Sequence, residues 1–168
     1  MFQKISLIRF FSLITFAGIG QSPIDTIPPY QKYPAMPDFK ILLTDSTWFK
    51  KANLPTTEYT AIIYFSPECG HCQHEAKEIV KNIDSLKQVF FVWASYRDLN
   101  DIKTFYYHYK LNEHPNNIVG RDPQYFIPAF FQAKYTPFVA LYDQNKQFVK
   151  AWDMGVEIPE LLEFFRKK

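Results

Sequence analysis

The sequence predicts an α/β domain: a central mixed sheet flanked by helices, with an N-terminal extension. Three observations carry this expectation. Nearly unbroken apolar runs of strand length recur at Tyr59–Phe65, Val89–Ala94 and Phe138–Tyr142, the composition of strands covered on both faces. Between the first two lies a stretch in which Ala76, Ile79, Val80, Ile83 and Leu86 share one helical face. A strand, a long helix and a strand joined this way make a right-handed βαβ unit with parallel strands. Finally, only Asp143–Lys146 separates Phe138–Tyr142 from the apolar segment Phe148–Trp152, a spacing that suits an antiparallel hairpin.

Residues 1–20 read as a targeting segment. Lys4 and Arg9 supply a positive start, and Phe10–Gly20 is an uncharged, mostly apolar run too short to span a bilayer comfortably. Gly18 and Gly20 stand at the −3 and −1 positions of a cut before Gln21; an uncleaved N-terminal anchor is the other reading, and both imply export. The chain has 19 basic and 17 acidic residues, and Lys4 and Arg9 account for the excess. The remainder is near neutral, with no basic stripe to suggest a nucleic-acid partner. It holds about 148 residues, enough for one domain with its own core, expected over residues 38–168.

Residues 21–37 carry Pro23, Pro28, Pro29, Pro34 and Pro37, a density that predicts an extended lead-in. Phe39–Leu43 reads as a short edge strand, and Asp45–Ala52 as one or two helical turns capped by Asp45 or Ser46. Tyr59–Phe65 is the first central strand, followed by a helix to about Leu86 and a strand at Val89–Ala94. Asp98 caps a helix over Leu99–Leu111, in which Phe105 and Tyr109 pack inward while Tyr106 and Tyr107 line a partly wet surface; a partner-docking patch is the alternative. Residues 113–123 read as a loop with a possible short strand at Ile118–Val119, and Tyr125–Lys134 as a helix with Pro128 in its first turn. After the hairpin, Gly155 breaks the pattern and Pro159 opens a last helix whose apolar face is Leu161, Leu162, Phe164 and Phe165.

The chain is organised around Phe65-Ser66-Pro67-Glu68-Cys69-Gly70-His71-Cys72, which holds its only two cysteines. A strand feeds a short turn, and the turn opens a helix. Unpaired N–H groups and the positive dipole end stabilise a thiolate there. A second cysteine three positions on can close a small disulfide, so one sulfur attacks and the other resolves. The same spacing serves zinc sites, with His71 or His74 as possible further ligands, and a purely structural disulfide is a third option. No second such pair completes a zinc ribbon, and two cysteines are too few for a disulfide framework in an exported chain of this size.

Cys69-Gly70-His71-Cys72 after a buried strand resembles the active site of the thioredoxin superfamily. A second cue is Thr136-Pro137 at the head of the strand Phe138–Tyr142. The resemblance implies a thioredoxin-like fold in the order β-α-β-α-β-β-α. It implies that Pro137 is cis and faces the cysteine pair, and that Thr136 offers backbone hydrogen bonds to an extended client peptide. Cys69 is then the attacking thiolate, Cys72 the resolving thiol, and His71 a tuner of the Cys69 pKa. The superfamily's usual tryptophan before the first cysteine is absent, Pro67-Glu68 standing there, and Ile63 replaces the buried acid of cytoplasmic thioredoxins. Glu75, three residues after Cys72, stands where exported TlpA-like thiol reductases carry a functional glutamate, which makes it a candidate proton acceptor. That group is the nearest resemblance and implies an exported reductase, in the periplasm of a Gram-negative bacterium. Gly70-His71 is typical of disulfide isomerases, so the isomerase or oxidase direction stays open, as does a non-catalytic exported binding module with a permanent Cys69–Cys72 bridge. No cofactor is implied beyond the cysteine pair. Implied partners are client proteins with thiols or disulfides and an unidentified thiol electron donor or acceptor, with membrane contact only through the N-terminal segment if it is retained.

Overall fold

The computed structural model describes residues 27–166. The targeting segment, the cut before Gln21 and the first part of the Pro-rich lead-in lie outside the described residues. In chain order the elements are α1 (Pro29–Lys32), β1 (Lys40–Leu43), β2 (Trp48–Lys50), β3 (Tyr59–Tyr64), α2 (Gly70–Lys81), β4 (Val89–Ser95), α3 (Leu99–His108), β5 (Asn117–Arg121), α4 (Phe126–Phe131), β6 (Phe138–Asp143), β7 (Phe148–Asp153) and α5 (Ile158–Arg166).

Seven strands form one mixed sheet in the order β2-β1-β5-β4-β3-β6-β7. β4 runs parallel to both β3 and β5, and every other pairing is antiparallel. The period of two along each strand divides the core between the two faces. Ala61, Ile63, Phe65, Phe91 and Trp93 face α2, α3 and α5, whereas Ile62, Tyr64, Phe90, Val92 and Ala94 face α1 and α4. All six residues of β3 and all seven of β4 are buried. This explains why both read as continuous apolar runs.

Three expectations are corrected and a fourth is extended. Asp45–Ala52 does not form helical turns capped by Asp45 or Ser46; only its last two residues enter a 3-10 turn, Lys51–Asn53. The Asp45 carboxylate accepts from the Thr47 N–H at 2.9 Å and hydroxyl at 2.7 Å, an Asx turn that folds the chain into the β1–β2 hairpin. Consequently β1 lies inside the sheet and β2 is the edge. The possible short strand at Ile118–Val119 is present and longer than expected, a five-residue strand, β5, whose Asn117 accepts from the Trp93 indole N–H at 3.1 Å. The lead-in is not extended throughout, because Pro29 starts a single helical turn. Its Tyr30 packs on Phe131, Phe138 and Phe148, with ring centroids 5.5, 6.1 and 5.0 Å away.

Three helices are shorter than expected, α4 among them, which covers only Phe126–Phe131 of the expected Tyr125–Lys134 because Tyr125 and Gln132 take left-handed conformations. α2 stops at Lys81 and hands over to a 3-10 turn at Ile83–Leu86. α3 stops at His108, and Lys110 takes a left-handed conformation. Asp98 does cap α3, accepting from the Asn100 N–H at 2.9 Å. On α3, Phe105 is buried, Tyr106 and Tyr109 are half-buried against the core, and Tyr107 is 52% exposed. Among the described residues no helix is long and apolar enough to cross a membrane.

Candidate active site at the start of the long helix

β3 delivers the chain to the sheet's end, where the Phe65 N–H still bonds to the Ala94 carbonyl at 3.0 Å. A tight turn follows, closed by the Cys69 N–H donating to the Ser66 carbonyl at 3.1 Å. The Gln73 side chain reaches back to the Pro67 carbonyl at 2.9 Å and fixes that turn to the helix. Cys69 is the N-cap of α2, and its Sγ accepts from the Cys72 N–H at 3.3 Å. A sulfur thus takes the place a serine or aspartate oxygen usually fills at a helix start.

The two sulfurs sit in different surroundings. Both are free thiols; Cys69 is half-buried and Cys72 fully buried. Partial burial works to raise the Cys69 pKa, but hydrogen bonds from Cys72 and Thr136, together with the Cys72 and His71 N–H groups, outweigh it and hold the thiol below its ordinary value. Burial pushes Cys72 the other way, far up, and its bond to Cys69 adds to the rise. The Ser66 N–H points at the Cys72 sulfur at 3.5 Å. His71 contributes through its backbone; its side chain is exposed.

The Thr136–Pro137 peptide bond is cis and precedes β6, whose Phe138 pairs with Tyr64 at the end of β3. That register sets the loop beside the cysteine turn, and the Cys69 thiol donates to the Thr136 carbonyl at 3.3 Å. Beside it opens a groove of about 410 Å³ lined by Tyr64, His71, Lys134, Tyr135, Thr136 and Met154. Tyr135 is 59% and Met154 53% exposed there.

Glu75 lies beneath. It is 6% exposed, and its Oε2 accepts from the Val156 N–H at 3.2 Å. Burial pushes its pKa up to about 8; the Val156 bond pulls it down, and nearby Glu157 adds to the rise. Gly155 makes room for it. With φ +97°, a Cβ there would stand 2.5 Å from Glu75 Oε2 and 3.2 Å from Pro137 Cγ. Glutamate and proline therefore pack on the same bare backbone. Glu75 is a buried acid in the layer beside Cys72, not a solvated helix residue.

His74 is exposed, and among the described residues no three His, Cys, Asp or Glu side chains cluster to hold a metal. Cys69, Cys72 and His74 therefore do not come together as a ligand set. The sequence reading missed Arg97, which reaches across from the end of β4 to pair with Glu68. Nothing in the intervening residues signals that contact. Gly155, by contrast, interrupts an apolar pattern just past a strand, a mark of a backbone position with a special duty.

No protein-family model matches the chain, and no curated protein matches it in sequence. Solved structures do match it in fold. A secreted Mycobacterium tuberculosis disulfide oxidoreductase homologous to Escherichia coli DsbE superposes with a TM-score of 0.64 at 19% identity, covering 77% of this chain and 96% of that one. The pneumococcal exposed lipoprotein thioredoxin Etrx1 from Streptococcus pneumoniae gives 0.60 at 16% identity, covering 79% and 100%. The peroxidoxin BcpB from M. tuberculosis gives 0.67 at 13% identity, covering 79% and 94%. The chain has the thioredoxin-like fold, which these neighbours, a disulfide oxidoreductase, a thioredoxin and a peroxidoxin, share.

Proposed function

We propose that this thioredoxin-like chain is an exported thiol–disulfide oxidoreductase that reduces client proteins through Cys69 and Cys72. The observation that carries the reading is the asymmetry of the two sulfurs: one half-open with a lowered pKa at a helix N-terminus, the other sealed with a raised pKa. The Cys69 thiolate attacks a client disulfide, forming a Cys69–client bond and releasing one client thiolate. The Cys72 thiol loses its proton and attacks Cys69 Sγ, closing the Cys69–Cys72 disulfide and releasing the second client thiolate. Two electrons pass to the client, and a thiol donor returns the pair to the dithiol.

Glu75 is the proton acceptor for Cys72 in this scheme. A carboxylate with a pKa near 8 is a stronger base than an ordinary one, and the ionised fraction able to take the Cys72 proton grows as pH approaches 8. Thr136 and Pro137 hold the client's backbone beside Cys69. Export rests on the sequence of residues 1–20, and the periplasm of a Gram-negative bacterium is the compartment proposed. The secreted and exposed proteins among the structural neighbours support export.

A second reading, isomerase or oxidase, is favoured by the stabilisation of the thiolate at Cys69, which lowers the free energy of the reduced pair. Measuring the reduction potential separates the readings. A value near about −270 mV supports a reductase, about −180 to −120 mV an isomerase or oxidase, and one below about −300 mV a permanent bridge. In parallel, Cys72→Ser is expected to accumulate mixed disulfides with clients, and Cys69→Ser to be inert. Insulin-reducing activity retained by Cys69→Ser would overturn the assignment.

A further inference from the structure

Glu68 poses a problem that the catalytic scheme leaves unanswered. A carboxylate immediately before the attacking cysteine repels the thiolate that cysteine must become. Slight burial works to raise the Glu68 pKa, but its own N–H, the Ser66 hydroxyl and Arg97 hold it below the usual carboxylate range, so the charge is present. The structure places a partner on it: the Arg97 guanidinium forms an ion pair with the Glu68 carboxylate.

That guanidinium is held in place rather than free to wander. It lies over the Tyr96 ring, 5.5 Å from the centroid, and its Nη1 donates to the Tyr96 hydroxyl at 3.4 Å. The Arg97 N–H bonds to the Ser95 hydroxyl at 3.3 Å. Tyr96 is itself wedged, stacked on Tyr125 at 5.2 Å and facing Tyr64 at 6.5 Å, with Arg121 Nε on its carbonyl at 3.4 Å. The end of β4 therefore presents a fixed cation to the turn that carries Cys69. Pre-organisation of this kind reduces the entropy lost in forming an ion pair, which is what leaves most exposed pairs worth little.

We propose that Arg97 is a positioning residue that neutralises Glu68 beside Cys69 and thereby sets the fraction of Cys69 present as the reactive thiolate. The inference rests on Cys69 being the attacking sulfur. The other titratable groups facing this turn are Cys72, bonded to Cys69, His71 on α2, Tyr64 and Lys134 in the neighbouring groove, and Asp101, His108 and Tyr109 in the groove that Glu68 and Arg97 share; Asp101 also acts on Arg97 electrostatically. None of them bonds to the Glu68 carboxylate, so its compensation falls to Arg97.

The test reads Cys69 directly. The thiolate absorbance of the reduced protein and its iodoacetamide alkylation rate are followed against pH, with Cys69→Ser as the blank. Arg97→Ala is expected to raise the midpoint by about half a unit, a roughly threefold loss of thiolate below it, the scale of one unscreened charge near a surface site. Glu68→Gln alone is expected to lower the midpoint, Arg97→Lys, which keeps the charge but loses its seat on Tyr96, to place it between wild type and Arg97→Ala, and Arg97→Ala/Glu68→Gln to bring it back. An unmoved midpoint in Arg97→Ala, or a rise that survives in the double variant, overturns the proposal. Should Arg97→Ala fail to fold, an unmoved midpoint in Glu68→Gln overturns it equally. These readouts need no client. A protein that shows the expected midpoints but reduces no disulfide would sink the oxidoreductase reading and leave the pairing standing.

Discussion

On one side of the sheet, Ile62 and Tyr64 of β3 enter a layer of Tyr30, Phe131, Phe138, Tyr142 and Phe148, rings packed on rings at 5.0–6.4 Å. On the other side, Ile63 and Phe65 enter a layer that also contains a thiol and lies against a carboxyl, Cys72 and Glu75. The aromatic layer gains from burial nearly everywhere. The cysteine-bearing layer gives some of that gain back, because a buried carboxyl resists ionising and a buried thiol resists becoming a thiolate. One face of the sheet thus supplies stability and the other uses part of it to hold reactive groups in unfavourable surroundings.

The comparison can be broken at several points. The largest effect is expected from Phe131→Ala, which empties a fully buried site in the aromatic layer. It should cost about 4 kcal/mol in urea denaturation while leaving the alkylation rate of Cys69 in the folded protein unchanged. A changed rate would mean that the layers are not separable.

Glu75 gives the next effect, and its sign follows from linkage. The unfolded chain ionises this carboxyl above about pH 4.5, whereas the folded protein keeps the proton to about pH 8. The unfolded state binds fewer protons across that window, so stability falls as pH rises through it and is indifferent below it. Glu75→Gln should flatten this slope and make the reduced protein more stable than wild type at pH 8, by an amount on the order of a few kcal/mol. It should also slow release of the mixed disulfide. The lowered Cys69 pKa acts in the opposite sense, adding stability as pH rises through the folded value, and is common to both proteins. Parallel slopes would refute the buried-acid assignment.

Gly155→Ala sharpens the contrast, because it strains a φ of +97° and drives a methyl group into Glu75 and Pro137. A loss of about 2 kcal/mol is expected by thermal or urea melts, together with a shifted pH dependence that a purely local strain would not produce. The smallest effect belongs to the aromatic layer. Tyr142 carries the one buried side-chain polar atom without a partner among the described residues. Tyr142→Phe removes it and should stabilise the protein by about 1 kcal/mol, with no change in redox chemistry.

The strands β3, β4 and β6 and the helix α2 were legible because burial on both faces writes unbroken apolar runs and an amphipathic helix writes its period. β5 was legible only as a possible short strand at Ile118–Val119, since Asn117-Ile118-Val119-Gly120-Arg121 has two polar ends and a glycine. Its place in the sheet comes from pairing with β4 and β1. Asp45 was misread for a different reason: the same short acid caps helices and closes Asx turns, and only the strand pairing beyond it decides. The cysteines and the Thr136-Pro137 step stood out from sequence. The depth of Glu75 did not, because Val156 and Gly155, which enclose it, come from the far side of the chain. Arg97 was hidden on the same grounds.

The three tryptophans are spread unevenly over this architecture. Trp93 and Trp152 belong to the cysteine-bearing layer, Trp48 is 44% exposed on the edge strand, and the ring-rich layer has none. Fluorescence excited selectively through indole therefore watches only half of the interior. A blue-shifted emission would come almost wholly from the half that performs the chemistry, and loosening of the opposite half would pass unseen unless tyrosine emission or circular dichroism were recorded beside it.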